Sequence, residues 1–154
     1  MKKLILALAT AGLLAGAGAA QARSIHYVGK ASGGEKITLT RTGNRIAHIR
    51  TGVPAICLPT TLGYSKDTGV EYFAPPGSFR LGVETKRTAQ HRSAMWHGKI
   101  THYYRVTVRR SGRRLTGRLK VAFMYGLPIY DSTLGARMIP YYCQGAATFT
   151  ARPR

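Results

Sequence analysis

The sequence predicts an all-β protein, and we expect an antiparallel β-sandwich with a small β-barrel as the alternative. Apolar residues alternate with polar ones over short segments and do not recur at helical spacing. Gly is frequent, with 18 residues in the chain, and many of the glycines and prolines lie between these segments, which is typical of strands joined by turns. Beyond residue 22, no segment has the periodicity of a helix.

The first 22 residues have the three-part pattern of a cleaved secretory signal peptide. Lys2 and Lys3 precede an apolar stretch over residues 4–14, and Ala20-Gln21-Ala22 places small residues at a cleavage site. We expect cleavage after Ala22. The remaining residues, 23–154, form a single extracytoplasmic β domain of ordinary size, either secreted or held at the cell envelope.

Two cysteines, Cys57 and Cys143, lie near the first and last long strand segments. In an oxidising compartment, two cysteines in one domain pair with each other. We therefore predict a Cys57–Cys143 disulfide. A free nucleophilic cysteine is the functional alternative.

Alternating segments predict the strands in order. They are His26–Lys30, Lys36–Arg41, Arg45–Val53, Phe79–Thr85, Ile100–Val108, Leu115–Tyr125 and Tyr142–Arg152. Ile46 and Ile49 break strict alternation, which predicts a β-bulge. Three segments predict loops: Leu58–Ser78, for which a loop containing a short hairpin is the alternative, Lys86–Ser93 and Gly126–Arg137.

The segments 100–108 and 115–125 predict a hairpin with Ser111-Gly112 as its two-residue turn. In that register, residues whose numbers sum to 223 lie opposite each other. Val108 then faces Leu115 and Tyr104 faces Leu119, all on the inner side, as the alternation requires.

The same register puts cations opposite cations on the outer face of the hairpin. Arg109 faces Arg114, Arg105 faces Arg118, and Tyr103 faces Lys120. Like charges directly opposite are destabilising, and an anion lying across them relieves the repulsion. The predicted anion-binding residues are therefore Arg105, Arg109, Arg114, Arg118, Lys120 and Tyr103. A solvated face whose long side chains splay apart is the alternative.

The charge balance points to anionic partners. Removing Lys2 and Lys3 lowers the formal net charge from +19 to +17, and such a protein associates with polyanions at low salt. We expect a monomer that binds an anionic envelope polymer or polysaccharide, with peripheral contact to an anionic membrane surface also open. No nucleic-acid-binding motif occurs, so we expect no specific nucleic acid. A GC-rich genome also enriches Arg, which is the alternative explanation.

No catalytic constellation is apparent. The five carboxylates after residue 22 form no evident pair across a cleft. His91, His97 and His102 lack metal-ligand spacing, so we expect no metal and no cofactor. We predict a non-catalytic protein. The alternatives are a secreted hydrolase with its site in the loops 58–78 or 126–137, and an inhibitor or interaction module.

The order of several short motifs also carries a resemblance. The motifs are Tyr27-Val28-Gly29-Lys30, Lys36-Ile37-Thr38-Leu39, Asn44-Arg45-Ile46 before Cys57, Gly77-Ser78-Phe79, the stretch from Gly112 to Leu119, and Cys143-Gln144-Gly145 before Phe149 and Arg152. In this order the chain resembles uncharacterised small secreted β-sandwich proteins of actinobacteria. The resemblance implies the fold and the compartment and supplies no catalytic residues.

Overall fold

The fold is all-β, as the sequence predicts. The computed structural model describes residues 23–93 and 98–154, and these residues contain strands and turns but no helix. The strands are β1 Ser24–Ala31, β2 Lys36–Thr42, β3 Arg45–Pro59, β4 Asp67–Phe73, β5 Phe79–Arg80, β6 Thr85–Arg92, β7 Lys99–Ser111, β8 Arg114–Asp131 and β9 Gly135–Pro153. Within this described part, no helix has the length and hydrophobicity needed to cross a membrane.

The strands form one antiparallel sheet in the order β4-β3-β2-β1-β9-β8-β7-β6. The long strand β3 bends this sheet back on itself. Its first half pairs with β2, and its second half, residues 55–59, pairs with β9. Strands β1, β2, β3 and β9 therefore form a closed circuit of paired strands, which gives a sandwich or barrel-like architecture.

The two ends of the strand order meet through side chains and one loop contact. Glu71 on β4 contacts His102 on β7. The guanidinium of Arg87 on β6 lies 5.3 Å from the centre of the Phe79 ring on β5. After β5, the Gly82 N–H donates to the Val108 carbonyl. Beneath these contacts, a single cluster of buried apolar side chains fills the interior.

The predicted disulfide is confirmed. Cys57 and Cys143 are bonded, and their Cα atoms lie 3.9 Å apart. They are directly opposite each other in the β3–β9 register. The bridge therefore fastens the bend in β3 to the last strand.

The predicted bulge is also confirmed, because the β2–β3 register shifts between Thr40 and Arg41 and leaves Ala47 without an opposite residue. The loop predictions are wrong in extent. The segment Leu58–Ser78 contains β4, and Lys86–Ser93 contains most of β6. The segment Gly126–Arg137 is a hairpin whose strands are separated only by residues 132–134.

The reason for these errors is that the missed strands lie at open edges of the sheet. Strand β6 has one neighbour and carries Lys and Arg, as edge strands do. Prolines 128 and 140 fall inside β8 and β9 where the hairpin has passed its neighbouring strands, and there a missing N–H is tolerated. Charged residues, Pro and Gly are typical of loops, so these segments predict loops although their backbone is extended. The predicted strand Phe79–Thr85 is reduced to the two residues of β5.

The register of the β7–β8 hairpin differs from the prediction by two residues. Ser111 pairs with Arg114, so the turn is Gly112-Arg113 and opposite residues sum to 225. Gly112 has a φ of +57°. The second turn residue, Arg113, does not have a positive φ, and this combination is typical of a type II′ turn, which favours Gly at its first position. The shift is even, so the predicted inner and outer sets keep their faces.

The predicted signal peptide, residues 1–22, lies outside the described residues, as does His97.

Candidate anion-binding face

The six residues predicted to bind an anion all lie on the outer face of the β7–β8 hairpin. Each of them is exposed: Tyr103, Arg105, Arg109, Arg114, Arg118 and Lys120. Their inward neighbours on the same strands, such as Val106, Val108 and Leu119, are completely or almost completely buried. The alternation of the two strands therefore separates a dry face from a cationic one.

One row across the sheet carries three cations side by side. Lys86 on β6 lies opposite Arg105 on β7, and Arg105 lies opposite Lys120 on β8. Directly opposite side chains start from Cβ atoms about 5 Å apart. Glu84 lies 3.9 Å from Lys86 in an exposed pair, and such pairs contribute roughly 0–1 kcal/mol. The repulsion within the row is therefore only partly offset.

The cation pairs differ from those predicted. Arg109 faces Thr116, and Arg118 faces Thr107, so neither lies opposite another cation on this hairpin. Lys120, predicted opposite Tyr103, is instead the partner of Arg105. The predicted ladder of Arg pairs is therefore wrong, and the like-charge contact is concentrated in the Lys86–Arg105–Lys120 row.

This row borders a groove of about 950 Å³. Lys86, Arg105, Arg118 and Lys120 line one part of it, while the other part is lined by apolar and amide side chains. Those are Tyr103, Ile56, Tyr142 and Gln144. Small residues, Ala122 and Ala146, lie opposite Gln144 and Lys120 in the β8–β9 ladder and leave space between the larger side chains.

A second depression, of about 680 Å³, continues from the groove. Arg118 lines both. The second depression is also lined by Arg109, by threonines of β8 and β9, and by Lys30 on β1. Together the two depressions form a basic surface that runs across β6, β7, β8, β9 and β1, with β3 lining the apolar part of the groove.

The sequence alone does not predict that Lys86, Lys30 and residues of β3 and β9 contribute to this surface. Lys86 falls in a predicted loop, and the position of Lys30 depends on the pairing of β1 with β9. For β3, a usable signal existed. Once Cys57 and Cys143 are opposite, antiparallel pairing places Ile56 opposite Gln144. The predicted disulfide alone could have brought these two residues to the groove.

A separate polar cluster is buried beneath the other end of β7. The Ser93 hydroxyl donates to Glu71 Oε2 at 2.9 Å, and His102 Nε2 lies 3.2 Å from Glu71 Oε1. Glu71 and His102 are completely buried. Ser93 is buried as well, so its hydroxyl is not exposed to a substrate. This geometry supports a structural role for the cluster.

His91 completes the surroundings of this cluster. Its ring centre lies 5.4 Å from that of His102. Burial lowers the pKa of His91, and the neighbouring His102 lowers it further, while Glu71 acts in the opposite direction. Among residues 23–93 and 98–154, no group of three or more His, Cys, Asp and Glu side chains is placed to hold a metal ion.

No family model, curated protein or solved structure matches this chain.

Proposed function

We propose that this protein is a non-catalytic extracytoplasmic protein that binds a linear anionic polymer of the cell envelope through its basic groove. The observation that carries the proposal is the Lys86–Arg105–Lys120 row beside a groove of about 950 Å³. Cell-wall polymers and acidic polysaccharides carry repeated negative charges along a flexible chain. Such a chain fits a surface whose cations are arranged across several strands.

Binding lowers the electrostatic repulsion within the cationic row. In the free protein, three neighbouring cations repel one another across β6, β7 and β8. A polyanion lying across the row removes this repulsion and releases its own condensed counterions, which adds a favourable entropy. Binding is therefore expected to weaken steeply as salt rises.

The apolar part of the groove suits a sugar-containing polymer. Tyr103 neighbours the cationic row on β7, and Tyr142 lies across the groove on β9. Both rings are about half exposed. Aromatic rings of this kind combine an apolar face with a hydroxyl that can hydrogen-bond.

Two features support the proposed compartment. The leader over residues 1–22 predicts export, and the Cys57–Cys143 bridge is compatible with an oxidising environment. Outside the cytoplasm, the abundant polyanions are those of the envelope.

The test is binding of the chain from Arg23 onward, which contains every strand described, to immobilised dextran sulfate and to isolated cell-wall polymer. The variant Arg105→Ser/Lys120→Ser removes two adjacent charges from exposed positions and leaves folding intact. Affinity should fall at least ten-fold at low salt. The slope of log K against log[salt] should decrease by roughly 1 to 2, since two fewer counterions are released.

The matched control is Arg23→Ser/Arg50→Ser, which removes the same charge from exposed residues that do not line the groove. This variant should retain most of the affinity. Equal losses in the two variants would contradict a specific face. In that case net charge alone, and the Arg bias of the genome, would account for binding.

A further inference from the structure

The outer face of the β8–β9 hairpin changes character along its length. Near the β7–β8 turn its outward residues are polar or basic, as in Thr116, Arg118 and Lys120. Beyond Ala122 they become apolar, beginning with Met124 and Tyr142, which are opposite each other. Exposed large apolar side chains continue to the end of the hairpin at Tyr130 and Met138.

Toward this end the hairpin carries apolar side chains on both faces, with Arg137 opposite Ile129 as a charged exception. Ile139 is buried on the inner side, and Leu127 and Ile129 pack partly against the core. On the outer side, Tyr130 is 83% exposed and Met138 is 62% exposed. A strand with one wet face normally alternates apolar and polar residues. The alternation of apolar and polar residues ends where the hairpin extends beyond its neighbouring strands. The apolar residues therefore lie on the projecting part of the hairpin.

The projection is substantial. In the described part of the chain, the last β7–β8 pair is His102 with Phe123, and the last β3–β9 pair is Pro59 with Tyr141. The pairs from Gly126 with Pro140 to Asp131 with Gly135 have no further strand beside them. Five further residues of extended chain add roughly 17 Å.

A second apolar tip lies beside the first. Thr60, just after β3, donates from its N–H and its hydroxyl to the Pro140 carbonyl. The loop that follows continues past this point and carries Leu62, which is 98% exposed. Two neighbouring turns therefore present Leu62, Tyr130 and Met138 at the same end of the molecule.

Charge complementarity indicates what covers this end. Lys66 and Arg137, both exposed, flank the two tips, while Asp67 and Asp131 lie in the same two segments. The Asp67 carboxylate accepts a hydrogen bond from Tyr125, whose side chain is buried. The charges at the tips therefore balance, and the attraction to an anionic bilayer comes from the basic groove and from the domain, whose formal net charge is +17 without Lys2 and Lys3. Exposed apolar side chains on a protein of such charge are typical of elements that enter the headgroup region of an anionic bilayer. Pro128 and Pro140 supply no N–H, which disfavours an added strand from a protein partner or a second copy.

We propose that this end inserts into the interface of an anionic lipid bilayer, with Leu62, Tyr130 and Met138 as the anchors. The electrostatic part of this proposal rests on the proposed function, since the basic groove supplies the long-range attraction to the anionic surface. Partition of the protein onto the bilayer is then expected to depend on the apolar area that the tips bury and on the positive charge of the groove.

The first test uses vesicles of phosphatidylcholine alone and of phosphatidylcholine with 30% phosphatidylglycerol. The chain from Arg23 should partition at least ten-fold more strongly to the anionic vesicles. The variant Leu62→Ser/Tyr130→Ser/Met138→Ser should lose at least ten-fold in this partition while it binds dextran sulfate as the unmodified chain does. Val83→Ser, at an exposed residue in the β5–β6 turn, is the control and should change neither.

The second test reports insertion directly. The native cysteines are bonded to each other, so Met138→Cys adds one free thiol for the polarity-sensitive dye acrylodan. Its emission should shift to the blue on anionic vesicles, whereas dye at Val83→Cys should not shift. Unchanged partition of the triple variant, or no shift at Met138→Cys, would overturn the membrane inference. If Arg105→Ser/Lys120→Ser bound dextran sulfate with the affinity of the unmodified chain, that result would instead contradict the proposed function.

Discussion

Glu71 on β4 and His102 on β7 lie 3.2 Å apart, and neither side chain is exposed to solvent. The two strands are far apart in the strand order and share no backbone hydrogen-bonded ladder. Their contact is therefore a polar link between the two ends of the folded sheet. Ser93, which follows β6, donates a hydrogen bond to the same carboxylate and adds a third element to the link.

We predict that Glu71→Ala destabilises the protein strongly. Removing a buried hydrogen-bonded carboxylate leaves the surrounding buried polar groups less well satisfied, which typically costs about 1–3 kcal/mol. Urea unfolding followed by circular dichroism measures the change. The control Glu84→Ala removes an exposed carboxylate and should change the free energy of unfolding by less than about 0.5 kcal/mol. Similar values for both variants would show that the contact contributes nothing.

The pKa of His91 predicts a pH dependence of stability. Its pKa is lowered in the folded protein by burial first and by the charge of His102 second, against the opposing effect of Glu71. The unfolded chain, with a His pKa near 6.5, therefore binds more protons than the folded one just below that pH. Stability should be full above about pH 6.5 and should fall as pH decreases toward the folded pKa.

The variant His91→Gln should show a smaller decrease in melting temperature between pH 7 and pH 5 than the unmodified protein. His48→Gln, at an exposed residue of β3, serves as the control and should keep the original pH dependence. An identical pH dependence in all three proteins would assign the effect to other groups.

The disulfide joins residues 86 positions apart. In the chain-entropy description, closing a loop of this size stabilises the fold by about 4–5 kcal/mol. The double variant Cys57→Ala/Cys143→Ala should therefore lose about that much free energy of unfolding in denaturant titrations. The unmodified protein in reducing buffer should behave in the same way. A loss below about 1 kcal/mol in both measurements would mean that β3 and β9 hold their register without the bridge.

Alternation and the cysteine pair allowed much of the fold to be predicted from the sequence. The inner face of the β7–β8 hairpin was predictable because a side chain's face depends only on whether its position is odd or even. For the same reason the predicted outer position of Arg105 and Lys120 is correct although the predicted register differs by two residues. The predicted partners across the ladder are wrong, because they depend on which residues form the turn. The turn type in turn depends on which of its positions holds Gly.

The parts that could not be predicted depend on distant pairings. Whether Lys86 borders the groove depends on β6 being a strand at an open edge, where charged residues resemble a loop. The projecting hairpin was missed because Pro128 and Pro140 break strands in the middle of a sheet but are tolerated beyond its last neighbours. Both errors arise because charged residues and Pro disfavour a strand at the centre of a sheet but are compatible with a strand at its edge.

The turn itself gives the last prediction. Gly112 has a φ of +57°, and a Cβ added there would meet no heavy atom within 4 Å. The effect of Gly112→Ala is therefore conformational and not steric. Forcing Ala into the positive-φ region should lower the free energy of unfolding by about 1 kcal/mol. Arg113→Ala occupies the second turn position, where φ is not positive, and should stay within about 0.5 kcal/mol of the unmodified protein.

The register of the hairpin separates the two possible turns. If Ser111-Gly112 formed the turn, Arg113 would lie in the strand after it, and the ladder would place Arg105 opposite Arg118. With Gly112-Arg113 as the turn, Arg105 lies opposite Lys120. Cross-strand contacts between the α-protons and amide protons of residues 105 and 120, measured by nuclear magnetic resonance, distinguish the two registers in the unmodified protein. Contacts between residues 105 and 118 would displace the Lys86–Arg105–Lys120 row, and the groove's like-charge repulsion would be redistributed with it.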